Sequence, residues 1–154
     1  MNTAPYYTYP QFMRQFFAER IQKISVYPGF SCPNRDGKIS TGGCSFCNNR
    51  SFSPDYCLQG NSITTQIQQG KQFFAHKPEY NKFIVYFQAY SNTYAPIERL
   101  EQCYQEALSV EGVVGLSIGT RPDCVEPEVL DLLATLSKKH FILLELGVES
   151  THND

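Results

Sequence analysis

The chain has 154 residues, 42% hydrophobic and 18% charged, the composition of one compact domain with enough apolar mass for a core, which argues against intrinsic disorder. Its formal net charge of -2 is unevenly spread: residues 1–50 carry six Lys/Arg (Arg14, Arg20, Lys23, Arg35, Lys38, Arg50) against Glu19 and Asp36, a balance of +4, which leaves -6 for the remainder. No segment approaches the ~20 apolar residues of a membrane span, and the start lacks the basic-then-apolar pattern of a secretory leader, so a cytoplasmic location is expected.

Residues 1–20 read as an N-terminal extension, and 21–154 as the domain proper. Ile21-Gln22-Lys23-Ile24-Ser25-Val26-Tyr27 alternates as a strand does, and Pro28-Gly29 ends it before a Gly-, Asn- and Ser-rich loop that runs from Phe30 to about Asn61. Ser62 is the expected N-cap of a helix reaching about His76, with Ile63, Ile67, Phe73 and Phe74 as its apolar positions and Gly70 as its weak point. Residues 82–89, rich in β-branched and aromatic side chains, suit a buried parallel strand.

A helix starting at Pro96 places Ile97, Leu100, Tyr104, Ala107 and Leu108 on one face. The pattern then repeats, with a strand over 113–118, a helix opened by Pro127 that turns Val129, Leu130, Leu132, Leu133 and Leu136 inward, and a strand over 141–147. Four strands alternating with three helices predict an α/β fold with right-handed βαβ crossovers and a parallel sheet. The chain stops at Thr151-His152-Asn153-Asp154, directly after the fourth strand and without a helix to cover it, and that ending reads as a truncation.

The six cysteines, read as those of a reducing compartment, point to metal binding or catalysis rather than to a disulfide framework. Cys44 and Cys47 form a C-x-x-C with Cys32 upstream on the same loop, whereas Cys57, Cys103 and Cys124 each stand alone. Three thiolates on one loop can ligate three irons of a 4Fe-4S cubane and leave the fourth iron open for an exchangeable ligand. The alternative is a closed tetrahedral zinc set of Cys32, Cys44, Cys47 and Cys57, which would make the chain a zinc-stabilised binding module for RNA or protein. Gly42-Gly43 lets the backbone turn closely around such a group, and Phe46 offers a flat apolar wall beside it. The basic first third suits an anionic cofactor or a nucleic acid, although its cations are scattered, as on an ordinary solvated face.

The run Gly29-Phe30-Ser31-Cys32-Pro33-Asn34-Arg35-Asp36-Gly37, followed by Gly42-Gly43-Cys44-Ser45-Phe46-Cys47-Asn48, closely resembles the cluster loop of bacterial radical S-adenosylmethionine (SAM) proteins of the YhcC/YtqA type, relatives of the radical SAM domain of the Elongator catalytic subunit. Tyr86-Phe87-Gln88-Ala89-Tyr90, Gly119-Thr120-Arg121-Pro122-Asp123-Cys124 and Glu145-Leu146-Gly147-Val148-Glu149-Ser150 continue the resemblance in the same order. Each of these three blocks falls at the C-terminal end of an expected strand, where α/β barrels carry their functional groups.

The resemblance implies a partial (β/α) radical SAM barrel, of which the first four strands are present, and an enzyme that reductively cleaves SAM to a 5'-deoxyadenosyl radical and methionine. It also implies a 4Fe-4S cluster on Cys32, Cys44 and Cys47, with Phe46 beside the bound cofactor. Gln88 and Tyr90 would receive the amino group of SAM, and Arg121 its carboxylate, with Thr120 in the same strand-end turn and Asp123 orienting the arginine. Glu149 would meet the ribose hydroxyls. A flavodoxin or ferredoxin would supply electrons, kinship with the Elongator subunit suggests tRNA as substrate, and a chain lacking the rest of the barrel is expected to be inactive by itself. Glu145 is left open between a cofactor contact and a pair with Arg121, and Cys124 between catalysis and packing.

Overall fold

The structure, a computed structural model, describes residues 5–51, 53–76 and 80–148. A short helix α1 (Tyr9–Met13) precedes four strands, β1 (Ile21–Val26), β2 (Lys82–Phe87), β3 (Val113–Thr120) and β4 (Phe141–Leu146). The strands pair in parallel and in sequence order. Helices α2 (Ile63–Phe73), α3 (Ile97–Leu108) and α4 (Pro127–Ser137) connect them. Each parallel pair needs a crossover connection, and residues of all three helices join the strands in one core. The expected α/β class with a four-stranded parallel sheet is therefore present.

The helix-covered face holds the core. Ile24, Val26, Val85, Phe87, Leu116 and Ile118 alternate toward it along β1, β2 and β3 and are at most 1% exposed. Tyr104 of α3 fills the centre, with its ring edge-on to Phe87 at 5.2 Å and its hydroxyl donating to the Asn92 carbonyl at 2.5 Å. Gly70, a weak point by helix propensity, is placed where it is by packing. A Cβ there would run into Cγ2 of Ile24 and stand 3.2 Å from the Tyr56 hydroxyl, so the missing side chain is what brings α2 down onto β1. Ser62 caps α2 as expected, accepting from the Thr65 amide at 3.1 Å.

Two apolar positions assigned to the core lie outside it. Phe73 is 66% exposed and Leu130 is 50% exposed. A helix turns about 100° per residue, so Phe74 packs on the core while its neighbour Phe73 points away, and the inward row of α4 is Val129, Leu132, Leu133 and Leu136 without Leu130. The N-terminal extension contains an element that hydrophobic periodicity does not announce. Thr8 and Gln11 form a capping box around the start of α1, readable in Thr8-Tyr9-Pro10-Gln11. Beyond it Phe16 and Phe17 stack on Phe141 of β4 at 5.0 and 5.4 Å, against the face of the sheet opposite the helices.

Replacing Gly70 by Ala is expected to destabilise the protein by about 1–3 kcal/mol through overpacking, even though the same change gains about 1 kcal/mol of helix propensity. Urea unfolding of Gly70→Ala beside wild type reads the difference. A midpoint equal to or above wild type would show that the α2–β1 contact yields freely.

Candidate functional site

Parallel strands in sequence order bring all four C-terminal ends to one rim, and backbone hydrogen bonds lace the loops that leave it. The Ser91 amide donates to Ser31 of the cysteine loop at 3.2 Å, the Asn92 amide and side chain donate to the Gly119 carbonyl at 3.2 and 2.9 Å, and the Gly147 amide donates to Thr120 at 3.0 Å. Thr93 Oγ1 donates to the Cys124 carbonyl at 2.6 Å, so the Thr120 hydroxyl, 2.7 Å away, donates to Thr93. Inside this rim opens a cavity of about 650 Å³, within the range of small-molecule sites.

Cys32, Cys44 and Cys47 all line that cavity, together with Phe46, Gln88, Tyr90, Thr120, Arg121 and Asp123. The three thiols are half-buried, whereas Cys57, Cys103 and Cys124 are buried, and all six are free. The loop is held open by its own polar contacts. The Arg35 amide donates to the Cys32 carbonyl at 2.8 Å, the Gly43 amide to the Asn34 carbonyl at 2.8 Å, and the Cys47 amide to the Cys44 carbonyl at 3.0 Å. Asn34 Nδ2 lies 2.9 Å from Cys44 Sγ, while Asn34 Oδ1 and Asn49 Nδ2 are buried in the cavity wall without a partner. Buried polar atoms of this kind are rare and mark a place where another group completes the bonding.

Among the described residues no three His, Cys, Asp or Glu side chains converge as they would to share one ion. By the chemistry of its donors alone the wall suits a thiolate-ligated group, with free thiols from one loop, an amide donor on a sulfur, and glycines where the backbone turns. Gly42 and Gly43 take φ of 87° and 88°.

The remaining expected residues are disposed as follows. Tyr90 takes φ 67°, a left-handed conformation costing a non-glycine residue about 1 kcal/mol or more. Its ring stacks on Tyr27 at 5.3 Å. The Arg121 guanidinium grips Asp123 through Nε and Nη2 at 2.8 and 2.7 Å, which holds the Asp123 carboxyl below the usual carboxylate range and raises Arg121. Phe46 is 68% exposed at the cavity mouth. The position assigned to ribose, Glu149, lies outside the described residues.

Of the other cysteines, Cys57 is committed elsewhere. Its thiol donates to the Ser25 carbonyl of β1 at 3.3 Å, and burial pushes it up to about 12. Cys103 is packed on the core side of α3. Cys124 borders a second cavity of about 680 Å³, between the outer side of the cysteine loop and the first turns of α3 and α4.

Glu145 is a feature that strand periodicity left undecided, because a parallel strand covered on both sides carries no clean alternation. It points away from the helices and pairs with Lys23 of β1 at 2.7 Å rather than with Arg121. Ser117 Oγ of β3 and the Tyr86 hydroxyl of β2 also donate to it, at 2.5 and 2.9 Å. One carboxylate thus ties all four strands, and Glu145 and Tyr86 themselves line the cavity, so the pair with Lys23 leaves Glu145 within reach of a bound group. Burial by itself would raise its pKa, but the hydrogen bonds from Lys23, Ser117 and Tyr86 together outweigh burial and leave it below the ordinary Glu value. Tyr9 lies against this group, with its ring 4.7 Å from the Lys23 ammonium, and burial followed by the Glu145 charge pushes the phenol up to about 12.

Fold and site together define an α/β protein with a cysteine-lined cleft at the C-terminal ends of a parallel sheet. The chain is 37% identical over 147 residues to the uncharacterized protein YtqA of Bacillus subtilis, a match covering 96% of this chain and 46% of the relative. It is 41% identical over 138 residues to the protein YhcC of Escherichia coli, covering 89% of this chain and 43% of the relative. The chain thus spans less than half the length of these curated relatives. No known family profile matches it, and no solved structure matches it.

The Glu145 network yields a pH-dependent expectation. A carboxyl with a depressed folded-state pKa contributes stability that is present above its unfolded value of about 4.3 and is lost as pH falls through the folded value. Lys23→Met is expected to cost about 1–3 kcal/mol at neutral pH, less than for a fully buried pair. The gap in urea midpoint between wild type and Glu145→Gln should shrink from pH 7 to about pH 4 and below. A gap that stays constant over that range would remove Glu145 from the stability of the sheet.

Proposed function

We propose that this chain carries the cofactor-binding part of a radical SAM enzyme, with Cys32, Cys44 and Cys47 holding a 4Fe-4S cluster. The observation that carries the reading is the meeting, in one cavity at the strand ends, of three free thiols from a single loop with Tyr90 from the loop after β2, Thr120 at the end of β3 and Arg121 just beyond it. When bound, such a cluster would supply one electron for reductive cleavage of SAM to methionine and a 5'-deoxyadenosyl radical, and a small one-electron carrier would restore that electron.

The chain's own residues would then have separable tasks. Arg121, already braced by Asp123, offers its remaining N–H groups to a carboxylate. Tyr90 and Gln88 line the adjacent wall, where their backbone and side-chain polar groups would meet the amino group of SAM. Phe46 supplies a flat apolar surface at the mouth. The Glu145 network, which lines the same cavity, fixes the strands whose ends carry these groups. The zinc-module reading needs Cys57 as a fourth ligand, and the buried hydrogen bond of Cys57 to β1 weighs against it.

Anaerobic reconstitution with iron and sulfide, followed by EPR of the dithionite-reduced protein, tests the reading. A 4Fe-4S signal is expected in wild type, altered by added SAM and absent from Cys44→Ala. A reconstituted wild type whose signal ignores SAM would retain the cluster and remove the enzyme.

A further inference from the structure

Arg35 lines the same cavity as the three thiols, half-buried, and among the described residues it has no carboxylate within ion-pairing distance. Its position is nonetheless tightly specified. Nη2 donates to the Cys47 carbonyl at 3.3 Å, and the guanidinium lies over the Tyr90 ring with Cζ 5.3 Å from the centroid. The guanidinium also lies against Gly43, where a Cβ would stand 2.7 Å from Arg35 Cζ and 2.8 Å from Nε and Nη2, although the φ of 88° at Gly43 itself already calls for glycine. Tyr90, which forms the other wall of this slot, is the non-glycine residue held at positive φ.

The slot thus uses a glycine, a strained tyrosine and a backbone carbonyl to hold one cation beside Cys47. A cation held at the wall of the cavity, with no carboxylate on it among the described residues, favours an anionic group bound there. The partner chemistry that fits is an anionic group at the thiols themselves.

We propose that Arg35 is a positioning residue and the counter-charge of the iron–sulfur cluster, clamping the Cys44–Cys47 turn to the loop after β2 and favouring the reduced, more negative cluster. This rests on the reading that Cys32, Cys44 and Cys47 hold a cluster. Each added electron makes a thiolate-ligated cluster more anionic, and a fixed nearby cation stabilises that state and raises the reduction potential. Lysine at this position keeps the charge but loses the planar stack on Tyr90 and the fork geometry.

The test is dithionite titration of the reconstituted wild type, Arg35→Met and Arg35→Lys, with iron release to a chelator measured in parallel. Arg35→Met should shift the cluster midpoint to more negative potential and release iron roughly 10-fold faster, as loss of groups supporting metal ligands does. Arg35→Lys should keep a midpoint close to wild type while releasing iron faster. A clamp without an electrostatic role would speed iron release and leave all midpoints equal, and that result overturns the proposal while the cluster stands. Loss of the cluster from Arg35→Met and Arg35→Lys alike also overturns it. A wild type that assembles no cluster overturns the parent reading and this one together.

Discussion

Everything in this molecule depends on the parallel ladder that joins β1, β2, β3 and β4 in sequence order. A parallel pair cannot be closed by a tight turn, so each strand is returned through a helix to start again at the same end. The consequence is that four separate segments of sequence, including the cysteine loop, emerge at one rim. The hydrogen bonds from Ser91 to Ser31, Asn92 to Gly119 and Gly147 to Thr120 extend the ladder past the strands into the loops. The cavity walls inherit the rigidity of the sheet, which placement of a cofactor requires.

The two faces of the sheet divide the work. The helix side is apolar and closes on Tyr104, Phe87 and the α2–β1 contact at Gly70, as a βαβ core does. The opposite side carries Lys23, Tyr86, Ser117 and Glu145, one from each strand, in a closed hydrogen-bonded set. Charged groups are retained so close to a core when each has partners, and here every donor converges on a single carboxylate. Aromatic rings of the N-terminal extension lie over that face, so residues outside the βα units also shape the interior.

Much of this was readable from residue order. The strands and helices between 82 and 146 follow from apolar runs punctuated by Pro96 and Pro127, and the observed elements begin within a residue of those expectations. The convergence of the cysteine loop with the blocks at 86–90 and 119–124 was also legible, since strand ends in a parallel sheet share a rim. Contacts that depend on which way a side chain points were not. The choice of Lys23 over Arg121 as the partner of Glu145 is decided by inter-strand register and by the two-residue hold of Asp123 on Arg121. Arg35 was visible as one of the scattered cations and as a member of the cluster-loop run, without a role of its own, and the double glycine at 42–43 as a turn around a bound group.

The reading stands or falls on what the three cavity thiols bind, and the most direct measurement is the metal and acid-labile sulfide content of wild-type protein purified without oxygen. The account predicts iron and sulfide in equal amounts, approaching about four of each per chain, as a cubane requires. One tightly held zinc per chain with no sulfide would contradict it and turn the cysteine loop into a structural metal site.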